Sequence, residues 1–381
     1  MRFINARIIL DYGIKGGNVT VSDDTVTDIS VNKYLRRARL RQAGILRETK
    51  QEGDIDLRGM YLAPGFVDIH CHGSGEYWFF DEPAKAAKWH LTEGTTSLLC
   101  SMWRNAGTYS YLKAIENVKA AMGEDSNIRG IHMEGPYVDP DLGSEGGKPW
   151  KIDPAEYNEL LSAGEGIIKT WTFDPTQEGA EEFARAVHEK RIRLGVCYSK
   201  ASPETLEKFL PLGLSIGSHI MCATGAPEPR FAGTKEPGSD VFVLTRDEMY
   251  AEVIADSLGG HVRPYNLKLI VKCKPGRIAL VSDCCAGGDT LGSDVNIING
   301  ELYGSRLTLS VAIKNIMKHT NVGVFGAIRM ATSIPAEAAG LSGICGRIQV
   351  GRKADFVILD EDLNVRGVVL NGKIVRKDFD F

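Results

Sequence analysis

The segment GFVDIHCHG (residues 65–73) is an apolar run that ends in two closely spaced histidines and a glycine. Alternate residues of a β-strand project to the same face, so His70 and His72 would point together if this run is a strand. Histidine is scarce in the chain, with 8 in 381 residues. The pair indicates a metal site, although a single pair can also be two ordinary buried histidines.

Seven further runs of this kind follow along the chain, separated by segments with apolar residues at helical spacing, such as EEFARAVHEKR (181–191). Eight strand-like runs alternating with helices predict an α/β fold, a (β/α)₈ TIM barrel. The seven runs are TTSLLCS (95–101), IRGIHMEGP (128–136), IIKTWTFDP (167–175), IRLGVCYS (192–199), LSIGSHIMC (214–222), AEVIADSLGGHV (251–262) and RIALVSD (277–283).

Histidines and carboxylates recur at the ends of these runs. Beyond the first pair they are Glu134, His219, His261 and Asp283. In such a barrel the reactive side chains lie at the carboxyl ends of the strands. Imidazole and carboxylate ligands suit a catalytic divalent ion, and zinc is favoured over iron, manganese or cobalt. Asp283 is the candidate general base and acid for hydrolysing an amide.

Both ends of the chain have a different pattern, with short alternating strands and turns. An Asn-Gly turn at 371–372 separates two apolar runs and predicts a hairpin. We therefore expect a small β-sandwich domain from residues 1–62 and 344–381, and a metal-dependent hydrolase barrel from 63–343.

Composition limits the possible partners. The net charge is −4 and the isoelectric point is near 6.1, so there is no bulk attraction to nucleic acid or to a membrane. The basic stretch KYLRRARLRQ (33–42) is better explained as a solvated segment. No secretory leader or run of about 18 apolar residues is apparent. Eight scattered cysteines without a CxxC motif favour reduced thiols and a cytoplasmic location.

Five segments resemble the N-acetylglucosamine-6-phosphate deacetylases of the amidohydrolase superfamily. They are APGFVDIHCHG (63–73), GIHMEGP (130–136), IADSLGGHV (254–262), LVSD (280–283) and GRIQVGRKADFVILDEDLNVRGVVLNGKIV (346–375). The likeness covers essentially the whole chain. It implies removal of acetate from an N-acetylated amino-sugar phosphate by a homodimer. It also implies that Glu134 and His219 are metal ligands, Asp283 the catalytic acid and base, and His261 a substrate-binding residue.

The chain departs from the family pattern at one ligand position. Tyr198 stands where the family has a ligand histidine. A phenol has an unperturbed pKa near 10 and is a poorer ligand at neutral pH. We therefore expect the metal on the side of His70 and His72, with Tyr198 as a weak ligand or a hydroxyl that faces the substrate.

Other departures concern the substrate. In HIMCATG (219–225), Cys222 replaces a phosphate-binding asparagine beside Ala223, and Lys235 replaces an arginine. Lysine keeps the charge but loses the planar bidentate fork. Lys148 is a candidate to stabilise the oxyanion, and Arg263 is a candidate anion-binding residue.

Two alternatives remain open. One is an amidohydrolase for another N-acyl sugar or an N-acyl amino acid, without phosphate recognition. The other is a metal-poor, catalytically silent relative, which Tyr198 favours and the buried charged residues oppose.

Trp78 and Trp103 follow predicted strands and could stack on a sugar ring, although packing is the commoner role for any single aromatic residue.

Overall fold

The structure of the chain is a computed structural model. The structure describes residues 1–31, 48–105, 107–143, 150–288 and 293–379. The basic stretch at 33–42 and Lys148 lie outside these ranges. In the described part of the chain, no helix has the length and apolar content needed to cross a membrane.

The chain begins with five strands of a terminal sheet. They are β1 (Arg2–Leu10), β2 (Gly13–Ser22), β3 (Thr25–Val31), β4 (Asp54–Asp56) and β5 (Tyr61–Pro64). Strand β1 pairs antiparallel with β2 and parallel with β4 and β5.

Eight strands of the described chain then form a parallel sheet in sequence order. They are β6 (Phe66–Cys71), β7 (Thr95–Met102), β8 (Ile128–Glu134), β9 (Ile168–Phe173), β10 (Arg193–Val196), β11 (Leu214–Gly217), β12 (Tyr250–Val253) and β13 (Ile278–Leu280). Each corresponds to one of the eight apolar runs. Nearly continuous burial along these strands, as over all of β7, is typical of a parallel sheet covered on both faces.

The sheet curls into a nearly closed barrel because its first and last strands meet through the segments that follow them. The Asp283 N–H donates to the His70 carbonyl at 2.9 Å, and the His72 N–H donates to the Cys284 carbonyl at 2.8 Å. The buried Asp68 carboxylate accepts from the N–H groups of His70 and Ser282, both at 3.3 Å. These contacts bring the candidate residues after β6 next to those after β13.

Helices follow the barrel strands and cover the outside of the barrel. Within the described ranges they are α1 (Pro83–Thr92), α2 (Thr108–Ala121), α3 (Pro154–Ala163), α4 (Ala180–Glu189), α5 (Pro203–Glu207), α6 (Ser239–Thr245), α7 (Pro264–Cys273), α8 (Leu309–His319), α9 (Val324–Met330) and α10 (Ser333–Ala338). Helix α3 shows why a helix begins at this point in the sequence. The Asp153 carboxylate caps the helix by accepting from the Ala155 N–H at 2.9 Å, and Pro154 occupies the first turn.

Five more strands complete the chain. They are the hairpin β14 (Val295–Ile298) and β15 (Glu301–Ser305), followed by β16 (Phe356–Leu359), β17 (Val365–Leu370) and β18 (Lys373–Lys377). The last three join the terminal sheet, in the order β18-β17-β16-β5-β1-β2-β3. Asn371 and Gly372 both have positive φ between β17 and β18, as a tight hairpin turn requires.

The terminal sheet and the barrel each have their own hydrophobic core. Phe3, Leu62, Phe356 and Val369 belong to a cluster that joins residues from both ends of the chain, as the sequence predicts. A larger, separate cluster fills the barrel and its helices. The predicted fold class, a barrel with an additional sheet domain built from both termini, is thereby confirmed. The residue-level boundaries of the two domains stay a prediction.

Candidate metal centre

Three of the sequence-predicted ligands meet at the carboxyl ends of β6 and β8. One ligand atom each of His70, His72 and Glu134 can be chosen so that all lie within 4.8 Å of one another. The two Glu134 oxygens lie 3.3 Å from Nε2 of His70 and 3.3 Å from Nε2 of His72. We call these three residues the ligand cluster.

Several polar atoms of the ligand cluster are buried and lack a hydrogen bond among the described residues. They are Nε2 of His70, both ring nitrogens of His72, and Oε2 of Glu134. Buried polar groups nearly always have a partner, because leaving one without costs about 1–3 kcal/mol. Unpaired nitrogen and oxygen atoms that face one another are the donor set that a divalent cation requires.

His219 and Asp283 flank the ligand cluster. His219 Nε2 lies 3.1 Å from Oε1 of Glu134, while its Nδ1 lies 3.0 Å from the Cys222 carbonyl. Asp283 Oδ1 lies 3.3 Å from Nε2 of His72. The Asp283 side chain is 14% exposed, whereas the ligand cluster is exposed by at most 1%. Asp283 is therefore the carboxylate of this group that solvent can reach.

Unusual backbone conformations concentrate here. His219, Tyr198 and Asp283 have φ angles of 27°, 41° and 50°, and each lies just after a barrel strand. Residues other than glycine rarely adopt this region, and where they do the strain is often associated with a functional site. The strain directs three of the predicted site residues from the strand ends toward the same opening.

Glu252 is a site residue that sequence reasoning missed. Its carboxylate Oε2 lies 3.0 Å from Nδ1 of His70, and both side chains are buried. Glu252 lies in β12, in the same apolar run as His261. A charged residue within the otherwise apolar AEVIA (251–255) was the available signal, because such a residue needs a buried partner.

His132, which precedes Glu134 on β8, has a different environment. Its Nδ1 lies 3.0 Å from the Ser101 hydroxyl, and its ring centroid lies 4.4 Å from that of His70. Burial, and next the neighbouring His70, lower the pKa of His132 well below its usual value. His132 is thus a neutral imidazole packed against the ligand cluster.

Mutual neutralisation governs the charges of the cluster. Burial alone would lower the pKa of His70, but the Glu134 and Glu252 carboxylates outweigh burial and raise that pKa well above its usual value. Burial would raise the pKa of Glu134, but His70, His219 and His72 outweigh it and lower that pKa. The buried carboxylates of Glu134 and Glu252 therefore attract protons, or a metal cation in their place, to the imidazoles.

Tyr198 lies beside this group. Its ring centroid is 5.1 Å from that of His219, and the Arg104 guanidinium carbon lies 4.3 Å from the Tyr198 ring centroid. Burial, and next the carboxylates of Glu134 and Asp283, raise the pKa of Tyr198 well above its usual value. The neutral phenol is favoured, which is consistent with a poor ligand.

A cavity of about 400 Å³ opens above the site, and we call it the Asp283 cavity. Its lining includes Tyr198, His219, Cys222, Ala223, His261 and Asp283. The two ring nitrogens of His261 lie 3.0 Å from Asp256 Oδ2 and 3.1 Å from the Gly304 carbonyl. These two contacts fix the ring on the cavity wall.

Two further predicted substrate residues, Lys235 and Arg263, lie away from this group. Lys235 and Arg263 are exposed, and neither lines the Asp283 cavity. Arg263 precedes α7, and Lys235 lies in the long segment before α6. The structure therefore groups nine of the predicted site residues and leaves these two outside the group.

Comparisons with known proteins agree with this architecture. Residues 266–375 match the model of the Amidohydrolase family. The chain is 27% identical to N-acetylgalactosamine-6-phosphate deacetylase of Escherichia coli O157:H7, over 82% of this chain and 87% of the relative. It is 23% identical to N-acetylglucosamine-6-phosphate deacetylase of Lysinibacillus sphaericus, over 94% and 96% of the two chains.

A solved structure shows the same fold over the full length. N-acetylglucosamine-6-phosphate deacetylase from Pasteurella multocida aligns with a TM-score of 0.81 and 24% identity, over 99% of both chains. Barrel and terminal sheet are thus those of the deacetylase structure, and residues 266–375 carry the match to the Amidohydrolase family. The sequence is similar to curated N-acetylhexosamine-6-phosphate deacetylases over most of its length.

Proposed function

We propose that the protein is a metal-dependent amidohydrolase that removes acetate from an N-acetylated amino sugar, N-acetylglucosamine 6-phosphate above all. One observation carries the proposal: the unpaired donor atoms of the ligand cluster converge beside the partly exposed carboxylate of Asp283. The names of the relatives support the choice of substrate.

The residues present suit a divalent metal, with zinc favoured over iron, manganese or cobalt. His70, His72 and Glu134 would hold it, and His219 lies close enough to Glu134 to take part. When bound, such an ion lowers the pKa of water and polarises a carbonyl oxygen. Two imidazoles and one carboxylate leave room for further ligands, as catalytic sites do.

The chain's own groups supply the remaining steps. The Glu252 carboxylate accepts a hydrogen bond from Nδ1–H of His70, which leaves Nε2 as the nitrogen that would face a bound metal. Asp283 takes a proton from the attacking water and returns it to the departing amine. Burial would raise the pKa of Asp283, but the imidazoles of His72 and His70 together outweigh burial and lower that pKa, which keeps Asp283 ionised and able to act as the base.

His261 and Tyr198 bind and orient the substrate in this proposal. Both line the Asp283 cavity, where the sugar would lie with its amide toward the ligand cluster. Lys148, Lys235 and Arg263 stay candidate anion-binding residues. We further propose a homodimer and a cytoplasmic location, which the family resemblance and the free cysteines support.

A second candidate function keeps the chemistry without phosphate recognition. Among the described residues that line the Asp283 cavity, none is a lysine or arginine, and Cys222 and Ala223 occupy part of the wall. A phosphate would gain little there without a cation. This lining favours an uncharged N-acyl amino sugar as the alternative substrate.

The test combines metal analysis with turnover. Purified protein is assayed for bound metal and for acetate release from N-acetylglucosamine with and without the 6-phosphate. The leading proposal expects metal and a clear preference in kcat/KM for the phosphorylated sugar. Equal rates would favour the second candidate. Absence of both metal and turnover, even after reconstitution with zinc, would indicate the silent relative.

A further inference from the structure

Three aromatic side chains extend outward from His72. Trp103 follows β7, Trp78 lies in the loop after β6, and Tyr303 lies in β15. The Trp103 ring centroid is 5.1 Å from that of His72 and 5.0 Å from that of Tyr303. Trp78 lies 6.1 Å from Trp103 and 6.2 Å from Tyr303. The rings form a continuous group that begins at the ligand cluster.

These rings line a second opening, of about 490 Å³, which we call the Trp103 cavity. Strand β15 separates it from the Asp283 cavity. Tyr303 lines the Trp103 cavity, whereas its strand neighbours Glu301, Leu302 and Gly304 line the Asp283 cavity. The two openings therefore flank the same candidate metal site, and the proposed function uses only one of them.

The lining indicates what the Trp103 cavity could hold. Its volume lies within the range of small-molecule sites. Aromatic faces form much of the wall, and the polar side chains of Asp81, Ser110 and Lys113 are also present. An aliphatic chain would desolvate these polar groups without pairing them. A phosphate would be repelled by the Asp81 carboxylate, and the Lys113 ammonium is already paired with Glu116 at 2.8 Å. A neutral sugar ring suits both the aromatic and the polar side chains of the lining. Its C–H face packs on aromatic rings, and its hydroxyls donate and accept hydrogen bonds.

We propose that the Trp103 cavity is a subsite for an uncharged sugar ring linked to the N-acetylated unit. The proposal rests on the proposed amide hydrolysis and enlarges its substrate from a monosaccharide to a disaccharide or longer glycoside. Contact between Trp103 and His72 makes the bound ring an immediate neighbour of the reacting unit. Walls from the loops after β6, β7 and β13 couple this subsite to the ligand cluster.

Binding tests the subsite without requiring turnover. Cellobiose has two neutral rings and no amide, so calorimetric titration with it measures binding of a neutral sugar without turnover, and the cavity variants locate that binding. We expect saturable binding to the unmodified protein and about tenfold weaker binding to Trp78→Ala, as the loss of one stacking face predicts. Tyr303→Ala provides a second variant should Trp78→Ala fold poorly. Trp89→Phe, on α1 outside the cavity, should bind as the unmodified protein does.

Turnover separates the subsite from the proposed function. We expect Trp78→Ala to lower kcat/KM for N,N′-diacetylchitobiose about tenfold and to change that for N-acetylglucosamine less than twofold. Equal effects on both sugars, together with no cellobiose binding, would overturn the subsite and leave the deacetylase proposal intact. Cellobiose binding without turnover of any N-acetyl sugar would support the subsite and overturn the deacetylase proposal. An effect of Trp78→Ala confined to N-butanoylglucosamine would assign the cavity to the acyl group and also overturn the proposal.

Discussion

His70 and Glu252 form a buried pair in which Nδ1 of the imidazole lies 3.0 Å from Oε2 of the carboxylate. They come from β6 and β12, 182 positions apart in the chain. A carboxylate at Nδ1 fixes the tautomer and the orientation of the ring, and it makes the other nitrogen a better ligand. Glu252 is therefore a positioning residue for the ligand cluster.

Glu252→Gln should weaken metal binding by about 10- to 100-fold, the usual cost of losing such a partner. Glutamine keeps the size of the side chain but removes the charge that supports His70. Competition with a chromophoric chelator measures the affinity directly. Glu248→Gln is the matched control, because Glu248 is exposed on the segment just before β12. An unchanged affinity in Glu252→Gln would mean that the ligand cluster does not need this orientation.

His70→Ala should abolish most metal binding, and His219→Ala should reduce it less. The reason is that His70 belongs to the ligand cluster, whereas His219 lies beside it and has its polar contact with Glu134. Metal at a hundredfold excess over its Kd stabilises the native state by about 2.7 kcal/mol. Thermal unfolding with and without a chelator should therefore differ in the unmodified protein and coincide in His70→Ala. Full metal retention in His70→Ala would contradict a site on this side of the barrel.

Asp283→Asn should lower kcat by about 10²- to 10⁴-fold with bound metal retained, because an amide cannot accept and return the proton. Acetate release measures the rate, and metal analysis of the same sample checks that the site is intact. Asp247→Asn, at an exposed position, should keep the full rate. A rate loss in Asp283→Asn that follows loss of metal would instead identify Asp283 as a ligand.

The sequence predicts the barrel well and the site in part. Eight apolar runs become eight strands, because a barrel strand buried on both sides leaves a local signature. His70, His72 and Glu134 meet because strand ends share one face of the barrel. Glu252 escaped notice because its role depends on a partner in another strand. The exposed positions of Lys235 and Arg263 depend on loop paths, which local pattern does not determine.

Acidification should reveal the buried imidazole of His90 as a loss of stability. Burial lowers the pKa of His90 to about 4, and its Nε2 lies 2.7 Å from the Gly73 carbonyl. The unfolded chain, with a pKa near 6.5, binds a proton that the folded chain refuses between pH 6.5 and 4. The free energy of unfolding therefore decreases as the pH is lowered across this window, by up to about 3 kcal/mol from this group.

His90→Gln isolates that contribution, because glutamine can donate to the same carbonyl and does not titrate. Urea unfolding from pH 7 to pH 4.5 should show a smaller loss of stability in the variant than in the unmodified protein. His188→Gln, at an exposed position on α4, should follow the unmodified curve. Parallel curves for His90→Gln and the unmodified protein would show that His90 does not resist protonation.

Tyr198→His should increase the number of metal ions that the chain binds from one to two. The Tyr198 ring adjoins that of His219, and the Glu134 carboxylate lies beside both, so an imidazole at this position would add a third ligand around a second ion. Histidine tolerates positive φ better than most residues, which suits the φ of 41° at this position. Metal titration followed by calorimetry counts the sites. Tyr198→Phe removes the hydroxyl without adding a ligand and should still bind one ion. A single site in Tyr198→His would mean that the barrel mouth lacks room for a second cation, whatever the ligand.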